Sequence, residues 1–326
     1  MMTKQQKALA AIIACVLFWG FSFISIKIAV EFIPPMTQGA LRFAMALVLL
    51  FFIKKKYAPD EKFRKEDIPL LAGAGITGVT LYYLFENNGI LLIPASEASI
   101  ITGSTPILIM IAEGVREKIV TRNMPAGNGK TAELNCSLEA KRKYVIYKTI
   151  LPGMAAIFSL TGVAFVAGGS LSFSGAVMGY VYMAAACVSW VCYCFLTRPL
   201  FDRRSRIYIV FWQSVMGFAG FLPFVFFENP LSALRVPGLH VWGHMVFLGI
   251  FCSALAYWFY SQALRDLGIG TTSFFLNLVP VVSAIGGFII LGERLLPLQL
   301  LGAGLVIAGV YLAMAAQRKI GLTEQS

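Results

Sequence analysis

Apolar residues fall in a series of long runs, and polar residues are confined to short breaks between them. Each run is about 18–25 residues, enough to cross a hydrocarbon core of roughly 30 Å. The pattern predicts ten membrane-spanning helices, at roughly 7–30, 35–53, 67–92, 96–115, 148–168, 174–198, 206–227, 238–264, 270–291 and 296–317. Pro34-Pro35 closes the first hairpin, Lys54-Lys55-Lys56 stops the second span, and Pro94 turns the third into the fourth. Gly168-Gly169, Asn229-Pro230 and Gly268 mark later corners. The first run continues through Trp19 to Val30, too long for the core of a cleavable signal, so it is expected to remain as the first span.

Composition agrees with that pattern. The chain is 58% hydrophobic and 13% charged, with a mean hydropathy of +0.76, whereas a soluble domain carries about 25% charged residues. The expected fold class is therefore an all-α integral membrane protein. Net charge is +11, which here concerns loop orientation; nucleic acid is a poor explanation for it. With the N-terminus inside, all of the 27 Lys and Arg except Lys27, Arg42, Arg235 and Arg294 fall in inner segments. One missed or extra span would scramble that alternation. The expectation is a multi-pass plasma-membrane protein, a bacterial inner membrane being the setting, with both termini cytoplasmic. The six cysteines show no CxxC or Cys/His metal spacing and read as small packing residues.

The chain also repeats itself. Tyr83–Pro106 and Tyr257–Pro280, offset by 174, share Tyr83/Tyr257, Phe85/Phe259, Ser99/Ser273 and Pro106/Pro280. At that offset Glu86 faces Tyr260, so the copies differ at the charged position. Trp19 pairs with Trp190 at an offset of 171, and Gly162-Val163 with Gly309-Val310 at 147. The falling offset places an insertion in the first copy, at roughly 116–147, a hydrophilic segment rich in Lys and Arg. Five spans per copy is an odd number, so the copies must sit inverted: two inverted five-helix repeats, 1–168 with the cytoplasmic insertion, and 169–326. Inverted repeats with a site near the midplane are a recurrent transporter plan. Within the insertion, Gly129-Lys130-Thr131 lacks the first glycine and preceding strand of a phosphate loop. Asn135-Cys136-Ser137 lies on the inner side, away from glycosylation.

Glu86 leads the candidate residues, because ionisable groups inside spans default to function. It is placed to orient substrate or to exchange a proton; a fixed ion pair with Arg42, at similar depth in the second span, would instead lock the bundle. Trp19, with Ser22 on the same helical face, and Trp190, with Tyr193 at i+3, would wall an aromatic cavity or pack a core. Ser99, Thr102 and Thr105 form a hydroxyl stripe that would face a cavity or bond back to its own helix. Asn277 and Gln262 are neutral polar groups suited to substrate binding or to interhelical bonding. Lys27, with Glu31 at i+4, is expected to snorkel or pair at the surface. Glu97 is expected to complement a helix N-terminus, and His240 and His244 to lie at the outer interface.

Phe18–Lys27 (FWGFSF…K), Pro34–Phe43, Pro94–Pro106 (PASEASIITGSTP) and Leu291–Leu295 (LGERL), in this order and at repeat spacing, resemble the EamA family of the drug/metabolite transporter superfamily. The similarity covers nearly the whole chain outside 116–147. It implies a bundle whose central cavity opens alternately to either side and moves small metabolites, often amino acids and related compounds, commonly outward. Carried onto this chain, the cavity residues would be Trp19, Ser22, Tyr83, Glu86, Ser99, Thr102, Trp190, Tyr193, Tyr257 and Asn277. One departure is that Glu293 lies 13 residues after Pro280, whereas Glu117 lies 11 after Pro106, so the inner end of the fourth span is irregular. The expected function is a secondary transporter of a small organic metabolite, with no cofactor and no catalytic or metal residues. Its partners are the substrate and the bilayer, with protons a candidate coupling ion and a homo-oligomer left open. The alternatives are an exchanger of phosphorylated or nucleotide-linked metabolites, an integral-membrane lipid-modifying enzyme, or a non-transporting scaffold.

Overall fold

A computed structural model of the chain describes residues 3–105, 107–109, 111–112, 115–116, 150–168, 176–228, 238–276 and 278–323. Among the described residues all regular structure is helical. Helix α1 (Lys4–Val30) opens on a capping box: Thr3 Oγ1 accepts from the Gln6 amide, and Gln6 Oε1 from the Thr3 amide. Then come α2 (Pro35–Tyr57), which starts on a proline suited to a first turn, α3 (Lys65–Leu92), α4 (Ala95–Thr102) and α5 (Leu151–Gly168). The rest are α6 (Ala176–Thr197), α7 (Arg206–Phe227), α8 (239–276), α9 (Val279–Leu291) and α10 (Pro297–Thr323).

Among the described residues six helices are long and apolar enough to cross a bilayer: Gln6–Val30, Pro35–Tyr57, Lys65–Leu92, Val177–Leu200, Arg206–Phe227 and Leu239–Ala263. Their outer faces carry large bare side chains, Phe226, Phe227 and Leu239 among them, as helices solvated by lipid require. Two boundaries differ from expectation. The fourth span, expected over roughly 96–115, is interrupted: α4 ends at Thr102, the chain turns at Gly103-Ser104, and helix resumes at Thr105 and at the described residues 107–109, 111–112 and 115–116. There the Ser104 hydroxyl bonds back to the Ile101 carbonyl, the local competition that weakens helices. In contrast, the corner expected at Gly268 is absent: Ala256–Leu276 is one helix. Gly268 and Gly270 each cost a helix only about 1 kcal/mol. The insertion beyond Arg116 and the corner at Asn229-Pro230 lie outside the described residues.

The packing repeats as the sequence does. Helix α1 lies on α8 and α9, while α6 lies on α3 and α4; α2 packs on α8 and α7 on α3; α5 and α10 pack on each other. Ile76–Leu81 in α3 and Phe247–Leu255 in α8 are wound as π-helix. Gly75 and Gly249, 174 positions apart, allow close crossings beside these turns. A Cβ on Gly75 would come within 2.5 Å of the Gln213 carbonyl and 2.9 Å of Met216 Cβ; one on Gly249 would meet Met45 Cβ at 2.8 Å and the Arg42 carbonyl at 3.0 Å. Arg42/Gln213 and Met45/Met216 are themselves related by the 171 offset.

Polar ties join distant parts of the chain at the helix ends. Arg204 donates from Nε to Asp67 (2.7 Å) and from Nη2 to Glu66 (2.6 Å), and Tyr208 donates to Asp67 (3.0 Å). Elsewhere Glu228, just past α7, accepts from the amides of Met36 (3.0 Å) and Thr37 (2.7 Å) and from the Thr37 hydroxyl (2.9 Å). Glu293, just past α9, does the same for Ala95 (2.9 Å) and Ser96 (3.1 Å) and the Ser96 hydroxyl (2.7 Å).

Candidate functional site

A cavity of about 100 Å³ lies among α1, α3, α6, α8 and α9 and the turn after α4. Its walls are largely aromatic because α1, α3, α6 and α8 each turn an aromatic face inward. Helix α1 contributes Trp19, with Ser22 and Phe23; α3 contributes Tyr82 and Tyr83; α6 contributes Trp190; and α8 contributes Tyr257 and Tyr260. Trp19 meets Trp190 edge to face at 5.9 Å, Tyr257 at 5.7 Å and Tyr260 at 5.3 Å, and Trp190 meets Tyr82 at 5.1 Å. Thr102, Gly103 and Thr105 line it where α4 breaks, and Val279 and Pro280 where α9 begins.

The π turns hold these rings in place. π-Winding misaligns the helical ladder and leaves carbonyls for outside donors. Trp19 Nε1 donates to the Cys252 carbonyl (3.0 Å) in one turn, and the Tyr257 hydroxyl to the Gly78 carbonyl (3.3 Å) in the other. Positions 78 and 252 are again 174 apart. The Tyr83 and Tyr257 hydroxyls meet at 3.3 Å. Trp19 with Trp190, and Tyr83 with Tyr257, are therefore pairs matched in sequence and in contact.

Glu86 is buried and lines the cavity. Its Oε1 accepts from the Tyr82 hydroxyl, one helical turn away, at 2.7 Å; Oε2 has no hydrogen-bond partner among the described residues. The expected ion pair with Arg42 is not made directly. Arg42, also buried, spends its Nε on the Ser253 hydroxyl (2.8 Å) and stacks its guanidinium over the Tyr83 ring, 4.2 Å from the centroid. Its Nη1 is buried without a partner. The two side chains are linked through neighbouring rings: Arg42 lies over Tyr83, Tyr83 meets Tyr82 at 5.0 Å, and Tyr82 donates to Glu86.

Of the residues picked from sequence, Trp19, Ser22, Tyr83, Glu86, Thr102, Trp190 and Tyr257 are brought together on this wall. Tyr193 is not on it; it packs on Trp190 at 4.8 Å and accepts from Gln213 at 3.1 Å. Ser99 also stands off, its hydroxyl returned to the Ser96 carbonyl (2.7 Å). Asn277 lies outside the described residues. Tyr82 and Tyr260 are lining residues not picked, although Tyr82 sits at i−4 from Glu86 and Tyr260 is its partner at the 174 offset.

Of the other charged residues, Lys27 departs from expectation. It neither snorkels nor pairs with Glu31; its ammonium donates to the carbonyls of Ile90 (2.8 Å), Leu91 (3.2 Å) and Ile93 (3.2 Å). It closes the C-terminus of α3, where carbonyls lack helical donors. Glu97 sits in the first turn of α4, as expected for a charge facing the helix dipole, while the cap hydrogen bonds come from Glu293. It is also buried and accepts from Tyr180 and from Gln299, both at 2.5 Å.

A family model, the EamA-like transporter family, matches residues 6–123 and 177–315. The chain belongs to the EamA family. The family is one of membrane transporters, and the apolar helices of this EamA protein make it a multi-pass membrane protein. It is 27% identical over 302 residues to an uncharacterized transporter of Archaeoglobus fulgidus, covering 92% of this chain and 95% of that protein. A probable terminal-alkyne amino-acid exporter of Streptantibioticus cattleyicolor is 26% identical, over 95% of this chain and 94% of the other. A probable amino-acid metabolite efflux pump of Salmonella typhimurium is 24% identical over 95% of each. A crystal structure 18% identical in sequence matches with a TM-score of 0.61, over 95% of this EamA chain and 98% of that one. It shares the fold.

Proposed function

We propose that this protein is a secondary transporter that exports a small organic metabolite, in the class of amino acids and related compounds, by alternating access around the aromatic cavity. The observation that carries the reading is the cavity itself. It is walled by matched residues from early and late in the chain, Trp19 with Trp190 and Tyr83 with Tyr257, and it holds a carboxylate with an unspent oxygen. A filled, dry centre would have suited a scaffold. The amino-acid efflux named for two relatives supports the substrate class. In this reading the chain has ten spans in two inverted five-helix repeats, 1–168 and 169–326, with both termini cytoplasmic in a bacterial inner membrane. The matched packing of α1 on α8 and α6 on α3 supports that symmetry. Rocking one repeat against the other would expose the cavity to each side in turn.

An exchanger of phosphorylated metabolites would need cations facing the ligand, and among the described residues no Lys or Arg lines the cavity. The test is flux. Purified protein in liposomes loaded with a panel of labelled amino acids and amines should release at least one of them faster than protein-free liposomes, and Trp190→Ala should abolish that release. Absence of any protein-dependent flux across the panel would overturn the reading.

A further inference from the structure

We infer that the protein carries a phospholipid site apart from the aromatic cavity, with one acyl chain in an apolar slot between α9 and α10 and the phosphate on Arg294.

The slot follows from how the last helices pack. Helix α9 lies on α1 and α4, and α10 lies chiefly on α5, although α9 and α10 are consecutive in the chain. In the first copy the corresponding helices, α4 and α5, pack on each other. Between α9 and α10 is a space of about 170 Å³. Its rim is Val281 and Ile285 of α9 with Leu300 and Ile307 of α10, all four exposed on the apolar surface. Its floor includes Gly103 and Pro280, which also line the aromatic cavity.

Every described residue that lines the slot is apolar. A trapped water needs roughly two to four polar partners, and these side chains offer none. Left empty, the slot would forfeit the packing contacts of its walls. Its rim is continuous with the surface that faces the bilayer, so an acyl chain is the apolar group that fills it. Lipid tails are as apolar as the helices they touch, so packing alone would not choose one lipid from another. A charge at the mouth does. Arg294 precedes the lining residue Leu295, is exposed, and makes no hydrogen bond or ion pair among the described residues. Its neighbour Glu293 is committed to the amides of Ala95 and Ser96. A guanidinium holds a phosphate through paired N–H donors. An apolar slot with an uncommitted arginine at one end matches the two parts of a phospholipid. The chain would rest against the wall that Gly103 and Pro280 form. That wall is close-packed, since a Cβ on Gly103 would come within 2.8 Å of Pro280 Cγ.

The experiment titrates the purified full chain in detergent with phosphatidylglycerol and with the diacylglycerol of the same chains, which lacks the phosphate. Binding is read by native mass spectrometry and by the rise in Tm. One phosphatidylglycerol should bind about ten-fold or more tightly than the diacylglycerol, as a charge-assisted hydrogen bond provides. Arg294→Gln should bring the two lipids level, and Ala303→Phe, which fills the slot, should weaken both. Should Ala303→Phe not fold, Ile285→Trp at the exposed rim gives a second reading. Phosphatidylglycerol brominated on its chains should quench the added fluorescence of Ile285→Trp at a lower lipid concentration than that of Val48→Trp, an exposed position on α2 that does not line the slot. Equal binding of the two lipids to the unaltered protein, no effect of Arg294→Gln, or equal quenching at positions 285 and 48 would overturn the inference. None of these readings uses flux, so their failure leaves the transport reading standing.

Discussion

Glu228 and Glu293 differ from Glu86 in how completely the protein answers them. Each of the first two sits just past a helix and accepts two backbone amides and one hydroxyl from the first turn of another. The receiving helices, α2 and α4, both follow a proline, Pro34 and Pro94. Such a carboxylate also meets the positive end of the helix dipole, so its charge is satisfied by groups that would otherwise be orphans. Glu86 is more deeply buried yet receives one phenol. The fold spends two carboxylates on tying distant segments together and leaves a third unfinished at the wall of a cavity. The contrast separates a charge that holds the structure from one left open at a cavity wall.

That separation breaks if Glu86 proves structural. Glu86→Gln is expected to cut transport by roughly 10- to 100-fold, the worth of a charge-assisted hydrogen bond of about 1.5–3 kcal/mol, with Tm unchanged or raised because an incompletely satisfied charge is removed. Proteoliposome flux and a thermal melt on the same preparation decide it. A large fall in Tm with little change in flux would place Glu86 with the other two. Arg42→Leu, alone, is expected to destabilise by about 3 kcal/mol, since it withdraws the only nearby positive charge. Adding Glu86→Leu should recover most of that loss. A double-mutant cycle reads the coupling, and additivity within about 0.5 kcal/mol would show that the two do not interact.

Much of this was legible in the chain. Six of the spans were readable because lipid-facing helices need long apolar runs, and among the wall residues Trp19, Trp190, Tyr83 and Tyr257 were marked by their repeat offsets and Glu86 by its charge inside an apolar run. What was hidden depended on contacts across long separations. Glu228 meets Thr37 191 positions away and Glu293 meets Ala95 198 away, and no local pattern announces such a cap. Lys27 was misread for the same reason, its partners lying at the end of another helix, and the same distance hid the bonds of Glu97 to Tyr180 and Gln299. Tyr82 and Tyr260 were open to notice, one by helical spacing from Glu86 and one by the offset, but a tyrosine in an apolar run carries no mark of which way it faces. The Gly268 corner failed because glycines, here Gly268 and Gly270, are weak stops beside the pull of a continuing helix.

The capping pair offers a smaller and more symmetric test. Glu228→Gln and Glu293→Gln keep the shape of the side chain and remove the charge, so each should lose about 1 kcal/mol, the usual worth of a cap, and lower Tm by a few degrees. Ligand affinity in the observed conformation should stay the same, since neither residue lines the cavity. Because the two caps share one geometry, their losses should match, and because they act on different helices, the double variant should show their sum. A loss at one site only would mean that the two ends are not equivalent in the folded state. The smallest effect belongs to Tyr208→Phe. Its hydroxyl donates to Asp67 and accepts from the Arg64 amide at 3.0 Å, so its removal should cost about 1 kcal/mol or less. Asp67 keeps Arg204 as a partner, which is why the loss should stay small. A melt of Tyr208→Phe that falls further than either glutamine variant would mean that this cluster, rather than the caps, carries the tie between distant parts of the chain.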